Sequence, residues 1–233
     1  MKTNFRLSSR SVLVLYVVVV SILMVIMVFW LSNLNKQSHL LKEEQRLRTE
    51  LLELEEYGKW TLDYIKIERG LNFLSKNKIS EWTRIELTDQ IWKISRTYNI
   101  DPMLILGIVA QESHGNPRAR GRMRSGVESG AFGLMQIKVE TAKSIGKRFG
   151  YKIENEEDLM DPEVNVVIGA AYLMRLIARY ENLKHAIIAY NIGHGRLDYY
   201  LKNKLNLPNL YYERVISKYW NLVSGLNFLD LER

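Results

Sequence analysis

The hydrophobic and polar positions of this 233-residue chain fall into three regimes. From Val12 to Leu31, VLVLYVVVVSILMVIMVFWL, twenty residues pass without a charge. At ~1.5 Å per helical residue such a run spans a bilayer core of ~30 Å, which predicts a transmembrane helix over residues 11–32. A cleaved signal peptide has a shorter apolar stretch of ~7–15 residues followed by small residues. Here the run ends instead in Phe29-Trp30-Leu31. In the second regime, Leu34 to about Lys66, Leu, Glu, Lys and Arg dominate without a proline, and Leu40, Leu47 and Leu54 recur every seven residues with Leu51 between them. That pattern predicts a helix. Glu44 and Gly58 occupy the partner heptad positions, so residues 33–79 are read as a solvated helical spacer, with weak self-association through 34–66 as the alternative.

Beyond Ser80 the pattern breaks into shorter amphipathic segments. Ser80 is placed to cap a helix carrying Ile91, Ile94 and Tyr98, and Asp101-Pro102 opens a helix from Met103 to Ser113, with Pro where its missing donor costs nothing. HGNPRARGRMRSGVESG reads as a long polar loop. Phe132–Ile137 and Val139–Phe149 look helical, Asp161-Pro162 starts a helix through Ala178, and His185–Tyr190 begins another. No stretch sustains two-residue alternation, so the domain is expected to be mostly α. The expected organisation is a tail over residues 1–10, the membrane helix over 11–32, the spacer over 33–79, a catalytic domain over 80–225 and a tail over 226–233.

Charge places these parts. Lys2, Arg6 and Arg10 precede the apolar run with no acid among them, whereas Lys36 and Lys42 beyond it soon meet Glu43. The positive side stays inside. The chain is therefore expected as a single-pass protein of the inner (cytoplasmic) membrane, its larger part in the periplasm or outside the cell. That placement turns the formal charge of +7 away from nucleic acid and towards anionic lipid or an anionic wall polymer. An apolar share of 47% suits a chain with a packed core, and the lack of cysteine excludes disulfides, thiolate metal sites and cysteine nucleophiles. His39, His114, His185 and His194 form no paired-ligand spacing, and NEEDLMD at 155–161 lacks the alternating acids and glycine of a calcium loop. No metal or cofactor is expected.

The candidate chemistry starts with Glu112, which follows the apolar run Leu104-Ile105-Leu106-Gly107-Ile108-Val109-Ala110. A desolvated carboxyl prefers its protonated form and can serve as a general acid; the plain alternative is a surface glutamate at a helix end. Ser113 is a poor nucleophile candidate, because Gln111 stands where a nucleophile elbow wants glycine.

Four signatures stand in order: Glu112-Ser113 with GNP just after, GAFGLMQI at 130–137, DPEVNVVIGAAYLMRL at 161–176 and AIIAYNIGHG at 186–195. Together they resemble the Slt-type, goose-lysozyme-like lytic transglycosylases over roughly residues 85–222. The resemblance implies a lysozyme-like helical domain that cleaves peptidoglycan glycan strands, with Glu112 as the single catalytic carboxyl. Glu112 would protonate the glycosidic oxygen between N-acetylmuramic acid and N-acetylglucosamine, then take a proton from the C6 hydroxyl that closes a 1,6-anhydro ring. It also implies that Tyr190 lies near that glutamate and that Asn191 shapes the cleft. Ser113, Met135 and Gln136 match the family's motifs, with Gln136 able to offer donor and acceptor to a sugar amide. A hydrolytic muramidase and an idle wall-binding scaffold are the alternatives.

The chain departs from that pattern in several places. The loop between Glu112 and Gln136 is longer; Val127 stands where a serine is common, leaving Ser125 or Ser129 as substitutes; and Lys138-Val139 replaces a Met or Leu followed by Pro. The lengthened loop carries Arg118, Arg120, Arg122 and Arg124 with no neighbouring acid before Glu128. They are either solvated charges or a contact surface for peptidoglycan carboxylates, with which guanidinium groups pair bidentately.

Overall fold

The structure is a computed structural model and describes residues 9–76, 78–123 and 125–229. Lys2, Arg6 and Arg124 lie outside the described residues. The chain divides into two compact units, Met1–Gly58 and Lys59–Arg233.

The first unit holds most of α1 (Ser9–Ser75). Its apolar run reaches a mean hydropathy of 3.0 over eighteen residues and is entirely unburied; among the described residues, α1 alone is long and apolar enough to cross a membrane. Further along, Leu40, Leu47, Leu51 and Leu54 are all exposed. The polar faces are laced by Glu44–Arg48 and Arg46–Glu50 pairs one turn apart, which support a solvated helix by a few tenths of a kcal/mol each, on the order of 0.3.

The second unit begins earlier than the boundary read at residue 80. Ile67 and Leu71, on the last turns of α1, are buried in its core, and Glu68 pairs with Arg84 of α2 (Glu81–Tyr98) at 2.7 Å. Ser80 caps α2 as expected, its hydroxyl accepting from the Thr83 amide at 3.0 Å. Gly115 (φ +72°) passes so close to the Leu74 backbone that a Cβ there would collide with it. The chain after α3 thereby rests on the end of α1.

The centre is α3 (Pro102–Glu112), capped by Asp101, whose carboxylate accepts from the Met103 amide and the Tyr219 hydroxyl. Every residue from Pro102 to Ala110 is buried. A helix apolar all round is a core helix, and α3 is wrapped mainly by α8 (Leu210–Leu229). Around this pair stand α5 (Pro162–Tyr180), α6 (Leu183–Ile192) and α7 (His194–Lys202), the first two capped by Asp161 and Asn182.

The mostly α expectation holds, with one correction. The segment Phe132–Ile137, expected to be helical, is the link between two strands. Three short strands, β1 (Arg120–Arg122), β2 (Glu128–Phe132) and β3 (Ile137–Lys138), form an antiparallel sheet in the order β1-β2-β3 inside what read as loop and helix. Gly130, Gly133 and Gln136 all hold positive φ, a conformation no α-helix accommodates, and the pairing of Ala131 with Lys138 closes the hairpin. Beyond it, α4 covers Val139–Gly146, and the remainder of the expected helix to Phe149 is a single 3₁₀ turn.

Candidate active site

Glu112 is the last residue of α3, where the helix emerges from the core. Burial pushes its carboxyl up from 4.5 to about 7, opposed in part by a hydrogen bond that Tyr211 donates from its hydroxyl to Oε1. Desolvation disfavours the charged form, and no cation sits close enough to reverse that. The acid is thus poised to give and regain a proton near neutral pH.

Two phenols flank it. Tyr211, at the start of α8, and Tyr190, on α6, are both held well above the ordinary tyrosine range by burial and then by the Glu112 charge, so both remain proton donors. Tyr190 fills the neighbourhood expected for it, yet its hydroxyl donates to the Met135 carbonyl at 2.9 Å rather than to the carboxyl. The phenol that bonds Glu112 is Tyr211, 99 residues along the chain. Sequence reasoning missed it because NLYYERV carries no motif that distinguishes Tyr211 from the half-buried Tyr212 beside it.

Behind the site, Asn165 is fully buried on α5 and bonds three backbone groups. Its Oδ1 accepts from the Met135 amide at 2.8 Å, and its Nδ2 donates to Phe132 O at 2.8 Å and Leu159 O at 2.9 Å. A Cβ at Gly133 would strike the Asn165 amide, and one at Gly169 would strike Met135. Gly133 of GAFGLMQ and Gly169 of VIGAA are therefore fixed by close approach. Met135 packs, fully buried; its backbone, not its side chain, serves the site. Gln136 keeps its amide donors for Ala119 O and Gly133 O, at 3.0 and 2.9 Å, which corrects the expectation that it offers a free donor to a sugar. Ser113 is buried, its hydroxyl donating back to Val109 O, and takes no place in the cleft.

The cleft in front of Glu112 has a volume of about 560 Å³. Gly121, Ser129, Ala131 and Gln136 from the hairpin form one side, and Tyr172, Tyr190, Asn191 and Gly193 from α5 and α6 form another. Tyr172 leans on Tyr190 with ring centroids 5.4 Å apart. Ser129 is the serine that reaches the cleft; Val127 points to solvent. Of the described loop arginines, Arg122 lines the cleft. Arg120 instead donates to Glu156 and Glu157 at 2.6 and 2.9 Å and stacks on Phe132, holding the hairpin to the turn before α5. The acids that neutralise it lie 36 and 37 residues away, invisible in the local sequence. Arg118 is exposed and away from the cleft lining.

A mostly helical domain that presents one desolvated carboxyl in a polar cleft has the equipment of a carbohydrate-cleaving acid–base enzyme. The Transglycosylase SLT domain family matches residues 89–211, more than half of the chain, and the chain belongs to that family. A transglycosylase of Enterobacteria phage PRD1 is 39% identical over 116 residues, covering 50% of this chain and 38% of that protein. The endo-type membrane-bound lytic murein transglycosylase A of Klebsiella pneumoniae is 40% identical over 83 residues, 35% of this chain and 38% of that one. The chain thus spans well under half the length of these relatives. Among solved structures, the lytic transglycosylase Slt of Pseudomonas aeruginosa overlaps 60% of this chain and 24% of its own, at 26% identity and a TM-score of 0.48. The 70-kDa soluble lytic transglycosylase of Escherichia coli overlaps 66% and 30%, at 22% identity and a TM-score of 0.49.

Proposed function

We propose that this chain is a membrane-anchored peptidoglycan lytic transglycosylase that cleaves the β-1,4 bond between N-acetylmuramic acid and N-acetylglucosamine and leaves 1,6-anhydromuramic ends. The observation that carries the reading is that Glu112 is the only carboxylic acid among the described residues that line the cleft. Two-carboxylate glycosidases need a second acid as nucleophile or to activate water. An intramolecular hydroxyl supplies its own proximity and removes that need.

In this mechanism the Glu112 proton passes to the glycosidic oxygen as the bond from that oxygen to C1 of the muramic residue breaks. The C6 hydroxyl of the same residue attacks C1, and its proton passes to the Glu112 carboxylate, which restores the acid. No water enters. Tyr211 holds one carboxyl oxygen throughout and steadies the charge that appears midway, while the Tyr190–Met135 bond fixes the wall opposite. The apolar run on α1 would anchor the enzyme in the inner membrane, with the catalytic unit in the periplasm or outside the cell, where the wall lies.

The test is product analysis of digested sacculi by mass spectrometry. Anhydromuropeptides, lighter by one water than hydrolytic products, are expected from the parent protein. Glu112→Gln keeps the shape but carries no proton, and its rate should fall by at least ~10²–10⁴-fold, the usual worth of a general acid–base group. Hydrolytic products would overturn the transglycosylase reading in favour of a muramidase. An undiminished Glu112→Gln rate would remove Glu112 from the chemistry.

A further inference from the structure

Among the described residues, three charged ones line the cleft: Glu112, Arg122 and Lys138. When Glu112 holds its proton, the lining carries two positive charges and no negative one. Lys138 follows the GLMQI motif as the second residue of β3 and is the register partner of Ala131 on β2. Directly opposed residues of an antiparallel pair project from the same face, and Ala131 lines the cleft, so Lys138 reaches the cleft from the sheet. Arg122 ends β1, opposite Glu128. The Glu128 carboxylate lies 4.0 Å from Arg120 and does not pair with Arg122. Among the described residues neither Arg122 nor Lys138 has an ion-pair partner, in contrast to Arg120, which has three.

Among the described residues the side-chain partner of Glu112 is Tyr211, and neither cation pairs with it. They are placed to recognise, not to react. A neutral polysaccharide offers two exposed, unpaired cations hydrogen-bond acceptors but no opposite charge. A strand whose sugars carry acidic branches supplies that charge, and the substrate proposed above is one: its muramic residues bear peptides that end in carboxylates.

Resting on that reading, we propose that Arg122 and Lys138 are specificity-determining residues that pair with free carboxylates on the peptide branch, so that the cleft prefers acidic strands to the same strands with their carboxylates amidated.

The experiment measures binding to the full-length Glu112→Gln protein in detergent, so that turnover is not required. The ligands are soluble glycan strands bearing peptide stems, either with free carboxylates or amidated chemically. The acidic strands should bind more tightly at low salt. Arg122→Gln and Lys138→Gln should each weaken their binding about two- to five-fold, the size of an exposed ion pair, and the double variant should bind both strands alike. The preference should shrink as salt rises. Lys147→Gln, on the 3₁₀ turn after α4 and outside the cleft lining, controls for net charge and should leave the preference in place. Equal binding of both strands by the parent cleft, or a preference that survives the double variant, would overturn the proposal. A preference lost in the double variant alongside hydrolytic products from the active protein would keep it and sink the transglycosylase chemistry instead.

Discussion

At the scale of single residues, the raised proton affinity of Glu112 is what gives the cleft an acid that works near neutral pH. Its pKa of about 7 lies above the ordinary 4.5, so between those values the folded protein keeps a proton that the unfolded chain has lost. The stabilisation this proton supplies is complete below about pH 4.5, shrinks as pH rises and is gone above about 7. The difference amounts to ~3 kcal/mol at most. Glu112→Gln does not ionise and escapes that loss. Thermal melts of the two proteins should nearly coincide at pH 5, and at pH 8 the variant should melt several degrees higher; parallel curves across that range would mean the carboxyl is not desolvated. Activity has its own sign, since the first step needs the protonated acid, and the rate should fall as pH passes upward through about 7. Tyr211→Phe removes the bond that holds the carboxyl down, so its alkaline limb should move to higher pH while the rate drops by roughly ten-fold, as for loss of a hydrogen bond to a charged group. A slower variant with an unmoved pH profile would assign Tyr211 to packing alone.

At the scale of elements, the site is made by the way α5 grips the β2–β3 turn. One buried side chain, Asn165, satisfies three backbone groups of two other segments. Asn165→Ala leaves those groups without partners and opens a cavity, and should cost about 2–4 kcal/mol by chemical denaturation. Because the same turn supplies the carbonyl that holds Tyr190, the variant should lose activity at temperatures where it is still folded. The elements were unevenly legible. The caps at Ser80, Asp101 and Asp161 and the periodic helices could be read because their signals are local. The hairpin could not, because its strands have two, three and five residues, too short for alternation to register. Its β2–β3 turn depends on Gly133, whose meaning comes from the distant Asn165.

At the scale of the whole molecule, the seventeen residues from Lys59 to Ser75 belong to the catalytic unit although they continue the spacer's pattern. A fragment of residues 80–233 would lose Ile67 and Leu71 from the core and the Leu74 backbone beneath Gly115. Removing one buried Leu or Ile side chain costs ~2–5 kcal/mol. Residues 59–233 should therefore melt at least ten degrees higher than residues 80–233; equal melting would show that this part of α1 is dispensable.

What the sequence determined by itself is what local physics encodes: a charge-free run long enough for a bilayer, helices marked by caps and period, and an acid placed after an apolar helix beside motifs in a recognisable order. Those features put forward Glu112, Tyr190 and Asn191 as candidates, and all three line one cleft. Only the tertiary structure decided which partners the residues keep. It gave the carboxyl to Tyr211, gave the Gln136 donors to backbone, tied Arg120 to Glu156 and Glu157, and left Arg122 and Lys138 facing the cleft. The reason is distance along the chain: a hydrogen bond or ion pair across 36 or 99 residues is set by how helices and strands pack, and no neighbouring residue announces it.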